Sequence, residues 1–129
     1  QKYDMEFVKE ISTVPERIST KEYSIYKAVS IRNSGLEQWP SQAFLFASGD
    51  VSGTKQTVQP LQPGKDMSCV LIISSPKKVG KFISRWNLAF NTADGNVELI
   101  GDAVVLAFEI SEPEEKQILN SVDQQILKE

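Results

Sequence analysis

The chain of 129 residues contains no histidine and a single cysteine, Cys69. Without histidine the commonest general base and the commonest metal ligand are missing, so no Ser–His–Asp or Cys–His nucleophile can be assembled. A zinc site of ordinary composition is excluded on the same ground. One cysteine forms no intramolecular disulfide, which argues against a secreted, disulfide-braced domain and fits a reducing compartment. No apolar run approaches the ~20 residues of a membrane span, and no signal peptide is recognisable. Charge of one sign is scarce too: 14 Lys and Arg are interspersed with 17 Asp and Glu for a net charge of −3. The densest basic cluster, Lys77-Lys78 with Lys81, reads as a solvated hairpin tip, and nucleic acid is not an expected partner. No DxDxDG, GxGxxG or GxxxxGK spacing occurs, so neither a calcium loop nor a phosphate cradle is indicated. Paired carboxylates for glycoside cleavage have nothing to recommend them. The expectation is a protein without catalysis, metal or cofactor, located in the cytoplasm as part of a larger protein.

What the sequence does have is short alternating segments punctuated by Gly and Pro. The stretch Asn33-Ser34-Gly35-Leu36-Glu37-Gln38-Trp39-Pro40 organises the rest: a polar turn, then a buried-type aromatic and a proline, reads as a strand end and a crossing to another layer. Before it, Tyr3, Met5 and Phe7 alternate with Asp4 and Glu6, and Thr13-Val14-Pro15-Glu16 closes that strand. Glu22 to Arg32 forms the next, with Ile25, Lys27, Val29 and Ile31 opposite Tyr26, Ala28, Ser30 and Arg32. Ala43 to Ala47 is apolar on both faces, as in a sheet interior. Residues 48–54 read as a mobile polar loop. Pro63-Gly64 predicts a type II turn with positive φ at the glycine. Met67, Cys69, Leu71 and Ile73 then share a face. Phe82, Ser84, Trp86, Leu88 and Phe90 share another, and Asp94-Gly95 predicts a hairpin turn. Val104, Leu106, Phe108 and Ile110 complete an inward set. About seven short strands without helical period give an all-β fold, an antiparallel β-sandwich over residues 1–111. Its core is expected to include Trp39, Trp86, Phe82, Leu88 and Phe108, with Cys69 an inert thiol among them.

The period changes after Ser111. Ser111-Glu112-Pro113-Glu114 fits a capping box, and residues 112–129 form the expected C-terminal helix. At 100° per residue Ile118, Leu119, Val122 and Ile126 fall within an arc of about 100°, a core-facing stripe. Val70 and Ile72 lie opposite Cys69 and Leu71 and therefore face outward, where they need cover. The candidate partner-binding set is thus Val70, Ile72, Ile118, Val122 and Ile126. Its occupant is the helix of the same chain, a second copy in a homodimer, or another protein.

With these motifs in order, residues 12 to 110 resemble the four-tryptophan (FW) domain, first described in selective-autophagy cargo receptors. The similarity runs through Thr13-Val14-Pro15-Glu16, Asn33-Ser34-Gly35 followed by Trp39-Pro40, Gly49-Asp50, and Leu61 with Pro63-Gly64. It continues through Pro76, Gly80, Phe82, Trp86-Asn87-Leu88 and Gly101. Two tryptophan positions carry Val29 and Val105, and Asn87 stands where the family has arginine. The resemblance implies an immunoglobulin-like sandwich used for protein–protein contact, in cargo recognition or as a scaffold. A carbohydrate- or small-ligand-binding sandwich using loops 48–57 and 91–98 is the alternative, although neither loop offers an aromatic.

Overall fold

Period-2 alternation in long strands and tight Gly turns between them yield two stacked sheets. The computed structural model describes residues 2–12 and 17–113. The turn expected at 13–16 and the helix expected over 112–129, with Ile118, Leu119, Val122 and Ile126, lie outside those residues, Glu112 and Pro113 apart. The strands are β1 (Glu6–Glu10), β2 (Arg17–Ser19), β3 (Ser24–Arg32), β4 (Phe44–Ala47), β5 (Gln56–Thr57), β6 (Asp66–Ser74), β7 (Gly80–Asn91) and β8 (Val97–Ser111). One sheet has three strands in the order β1-β3-β6, the other five in the order β2-β8-β7-β4-β5. The all-β sandwich is thus the observed architecture. Pairing is antiparallel except at β2, which runs parallel to β8.

The core lies where the inner faces meet. Ile25, Val29 and Ile31 of β3 and Leu71 and Ile73 of β6 come from one sheet. Leu45, Trp86, Leu88, Ile100, Val104, Leu106, Phe108 and Ile110 come from the other. Each such aliphatic or aromatic side chain contributes roughly 1.5–3 kcal/mol on burial. The two tryptophans are fully enclosed and hydrogen-bonded. Trp86 Nε1–H donates to Ser84 Oγ at 2.7 Å, and Trp39 Nε1–H donates to the Asp4 carbonyl at 2.9 Å. An indole N–H without such a partner would lose its hydration for nothing in return.

The corner after β3 carries the chain from the three-stranded to the five-stranded sheet. Buried Asn33 holds it: Nδ2 donates to the carbonyls of Glu37 (2.9 Å) and Leu61 (2.7 Å), and Oδ1 accepts from Gly35 N–H (2.9 Å). The corner in turn seats the N-terminal segment, since the amides of Leu36 and Glu37 both donate to the Lys2 carbonyl. Gly35 has no room for a side chain there, because a Cβ would stand 2.6 Å from Asp4 N. Gly101 meets the same segment from the other side, with φ +69° and Met5 backbone atoms 2.5 Å and 2.6 Å from where a Cβ would be. Two further turns match their sequences: Gly64 has φ +79° and closes a turn in which Lys65 N–H donates to Gln62 O, and Gly95 has φ +87° in the β7–β8 hairpin.

Several local expectations need correction. Residues 48–54 are not a loose loop. Val51 is buried, Ser74 N–H donates to Ser52 O, and Thr54 N–H donates to Ile72 O, so this segment is bound along β6. A small residue is needed at Gly53, where a Cβ would lie 2.6 Å from the Trp86 ring. Strand β4 does lie inside its sheet as expected, between β7 and the two-residue β5, with Phe44 and Leu45 buried. Lys77 and Lys78 sit on the crossover from β6 to β7, which belong to different sheets, and so are not at a hairpin tip.

Candidate functional site

Alternation in β3 and β6 decides what the three-stranded sheet shows to solvent. With Leu71 and Ile73 inward, Val70 and Ile72 must point outward, and Val70 is 48% exposed. Register brings further side chains beside them: Tyr26 pairs with Ile72 and Ala28 with Val70. Tyr26 is 62% exposed. These four form one apolar strip on adjacent strands, close enough for cross-strand contact. Sequence reasoning had Tyr26 and Ala28 on the correct face without joining them to Val70 and Ile72. The missing piece was the register, which alternation within one strand does not supply.

On the strip's own face Arg32 meets Asp66 in a forked contact with Nε 2.6 Å from Oδ1, and exposed Lys9 lies beside Ser30. Lys27, on the inward register with Leu71, lies with its Nζ 3.2 Å from Glu10 Oε2. The hydrogen bond from Arg32 holds the exposed Asp66 carboxyl below its ordinary range. Gln56 covers part of the β6 edge, its side-chain amide donating to the Val70 carbonyl. A side chain thus occupies a place where an added strand would pair. Beside the strip, Tyr23 is held by Lys77, whose Nζ stands 3.6 Å from the ring centroid.

Other places offer less. Cys69 lies on the inner face opposite Val29, and burial pushes its thiol up, away from the nucleophilic thiolate. Among the described residues no group of three His, Cys, Asp or Glu side chains is placed to hold a metal ion, and no helix is long and apolar enough to cross a membrane. A cleft of about 330 Å³ lies between Asp50, Ser52, Ser74, Lys78 and Phe82. Another of about 440 Å³ lies between Lys2, Tyr3, Phe90, Glu98 and Leu99. They mark opposite poles of the sandwich. Residues 50–52 sit at the pole of Ser74 and Gly80, whereas the 92–96 turn closes the far ends of β7 and β8. Loops 48–57 and 91–98 therefore do not build one ligand site. Of the expected core set, Trp39, Trp86, Leu88 and Phe108 are buried. Phe82 is half-buried, stacked on Phe108 at 5.7 Å.

The arrangement among the described residues is a β-scaffold with an apolar strip on its three-stranded sheet. A search of curated proteins returns no match. A family model described as "Ig-like domain from next to BRCA1 gene" matches residues 16–110. That span takes in β2 to β7 and nearly all of β8. It includes the buried Asn33 corner, both tryptophans and the outward strip. The chain belongs to this family of Ig-like domains.

Proposed function

We propose that the chain is a non-catalytic protein–protein interaction module of FW type, serving cargo recognition or scaffolding within a larger cytoplasmic protein. Its binding surface is the outer face of the three-stranded sheet, and its partner presents apolar side chains. The observation that carries this reading is the strip on adjacent strands of one sheet, with Tyr26 and Val70 exposed and Ala28 and Ile72 half-buried beside them. An aromatic flanked by aliphatic groups is the composition of an interface centre, while the Arg32–Asp66 pair and exposed Lys9 at its margin suit a rim.

The test is affinity capture from a lysate of the source organism. The wild type is compared with a Val70→Asp, Ile72→Asp double variant and with Ile83→Asp on the opposite sheet. Loss of the captured partner with the double variant alone, while its circular dichroism stays unchanged, is the expected result. Equal capture by all three proteins would overturn the reading.

A further inference from the structure

The outer face of the three-stranded sheet is not apolar throughout, and its polar part has a sign. Successive rows across β3 and β6 are Tyr26 with Ile72, Ala28 with Val70, Ser30 with Ser68, and Arg32 with Asp66. Strand β1 and the residue after it add to the last three rows. Ile11 donates its amide to the Ala28 carbonyl and is 40% exposed, Lys9 pairs with Ser30, and Glu6 pairs with Arg32. Alternation turns Ile11 the same way as Lys9. The apolar strip therefore reaches across three strands, and Lys9 stands one row from it.

The charges of this face differ in what they have left to offer. Arg32 is forked on Asp66 and faces Glu6 from the neighbouring strand, so that row already sets two carboxylates against one guanidinium. Lys9 is exposed, and among the described residues no carboxylate is paired with it. Glu10, next to it in sequence, turns inward onto Lys27. The other end of the strip has the same sign. Lys77 Nζ stands over the Tyr23 ring, a contact that leaves its charge in place, and Lys77 with Lys78 outnumbers Glu22 of that turn. Because Gln56 occupies the β6 edge, an occupant lies on the face and does not extend the sheet.

We propose that this face takes an acidic segment of another protein, which lays apolar side chains on Ile11, Tyr26, Ala28, Val70 and Ile72 and sets a carboxylate on Lys9. The inference rests on the reading of this sheet as the binding surface and adds the chemistry of what binds. A basic segment would set a like charge against Lys9, and a wholly apolar one would cover it unpaired. A second copy of the same face would bring Asp66 and Glu6 already engaged with Arg32. Adjacent rows lie ~7 Å apart along the strands. The carboxylate therefore stands about one helical turn, or about two residues of extended chain, from the apolar group on Ile11.

The test uses the full chain and a random dodecapeptide library displayed on phage. The wild type is expected to enrich peptides in which Asp or Glu accompanies several apolar residues. Lys9→Glu is expected to keep the apolar preference and to exchange the acids for Lys or Arg. An enriched peptide is then synthesised and titrated by fluorescence anisotropy. Its affinity should fall ~10-fold or more with Lys9→Glu, and the same peptide with its acid replaced by Lys should regain that loss on the variant. Val70→Ser with Ile72→Ser removes apolar contact without adding charge, and should abolish binding while circular dichroism stays unchanged. Peptides that need Val70 and Ile72 but show no acid preference, or that bind Lys9→Glu equally, would overturn the proposal and leave the surface standing. No enrichment over a bare support would overturn it as well. Peptides that bind the serine double variant as tightly as the wild type would overturn the reading of the surface along with it.

Discussion

Asn33 is a polar side chain with no exposed surface, and its amide nitrogen and oxygen are all spent on backbone groups. Asn33→Ala leaves two carbonyls and one amide without their partner in a buried corner. Each such orphan costs about 1–3 kcal/mol, so a loss of at least ~3 kcal/mol is expected in urea unfolding. A loss below ~1 kcal/mol would mean that water replaces the amide. Gly64 makes the contrasting case. Nothing lies within 4 Å of where its Cβ would be, so only the positive φ penalises a side chain. Gly64→Val is expected to cost more than ~1 kcal/mol from backbone strain alone, and a neutral result would exclude the turn type. Both residues were recognisable in the sequence as turn formers. That Asn33 also reaches the Leu61 carbonyl, 28 positions away, was not. Turn chemistry specifies neighbours in sequence and says nothing of a partner supplied by another loop.

Long strands announce themselves at the scale of elements, and short ones do not. β3, β6, β7 and β8 have enough residues for the alternation of buried and exposed positions to repeat, and their inner faces follow from it. β2 and β5 have three and two residues, too few for any period, and so neither was legible. The same limit explains the misjudged segment 48–54. Its composition is that of a solvated loop, yet backbone bonds to β6 fix it. Hydrogen exchange tests this: the amides of Thr54 and Ser74, which donate to Ile72 and Ser52, should exchange slowly, near the rate of the adjacent strand. Exchange as fast as in the 92–96 turn would restore the loose loop. For the candidate site, the outward direction of Val70 and Ile72 was legible from period alone. Their assembly with Tyr26 depended on a register set between strands that the corner and several loops separate.

The whole molecule has no imidazole, so its stability should be nearly flat between about pH 6 and 8. Acid is different. The Asp66 carboxyl is lowered by the Arg32 hydrogen bond and the Asp94 carboxyl by the Thr92 hydroxyl. With folded values below unfolded ones, the unfolded chain takes up protons first as pH falls. Their stabilisation is therefore present above the ordinary carboxylate range and disappears below about pH 4. Tm should fall there, and Asp66→Asn should flatten part of the fall. Because both groups are at the surface, the effect should shrink in 1 M salt. A Tm that rises on acidification would contradict these assignments. The seating of Lys2 to Met5 has a different kind of consequence, one in time. Its berth consists of the corner amides of Leu36 and Glu37, the Trp39 indole and the backbone beside Gly101. None of these is in place until the crossing from β3 to β4 and the β7–β8 hairpin have formed. The segment is therefore expected to dock after those elements as the chain folds. Met5→Ala should steepen the loss of the native state by speeding unfolding while the refolding rate stays nearly constant, the signature of contacts made after the transition state.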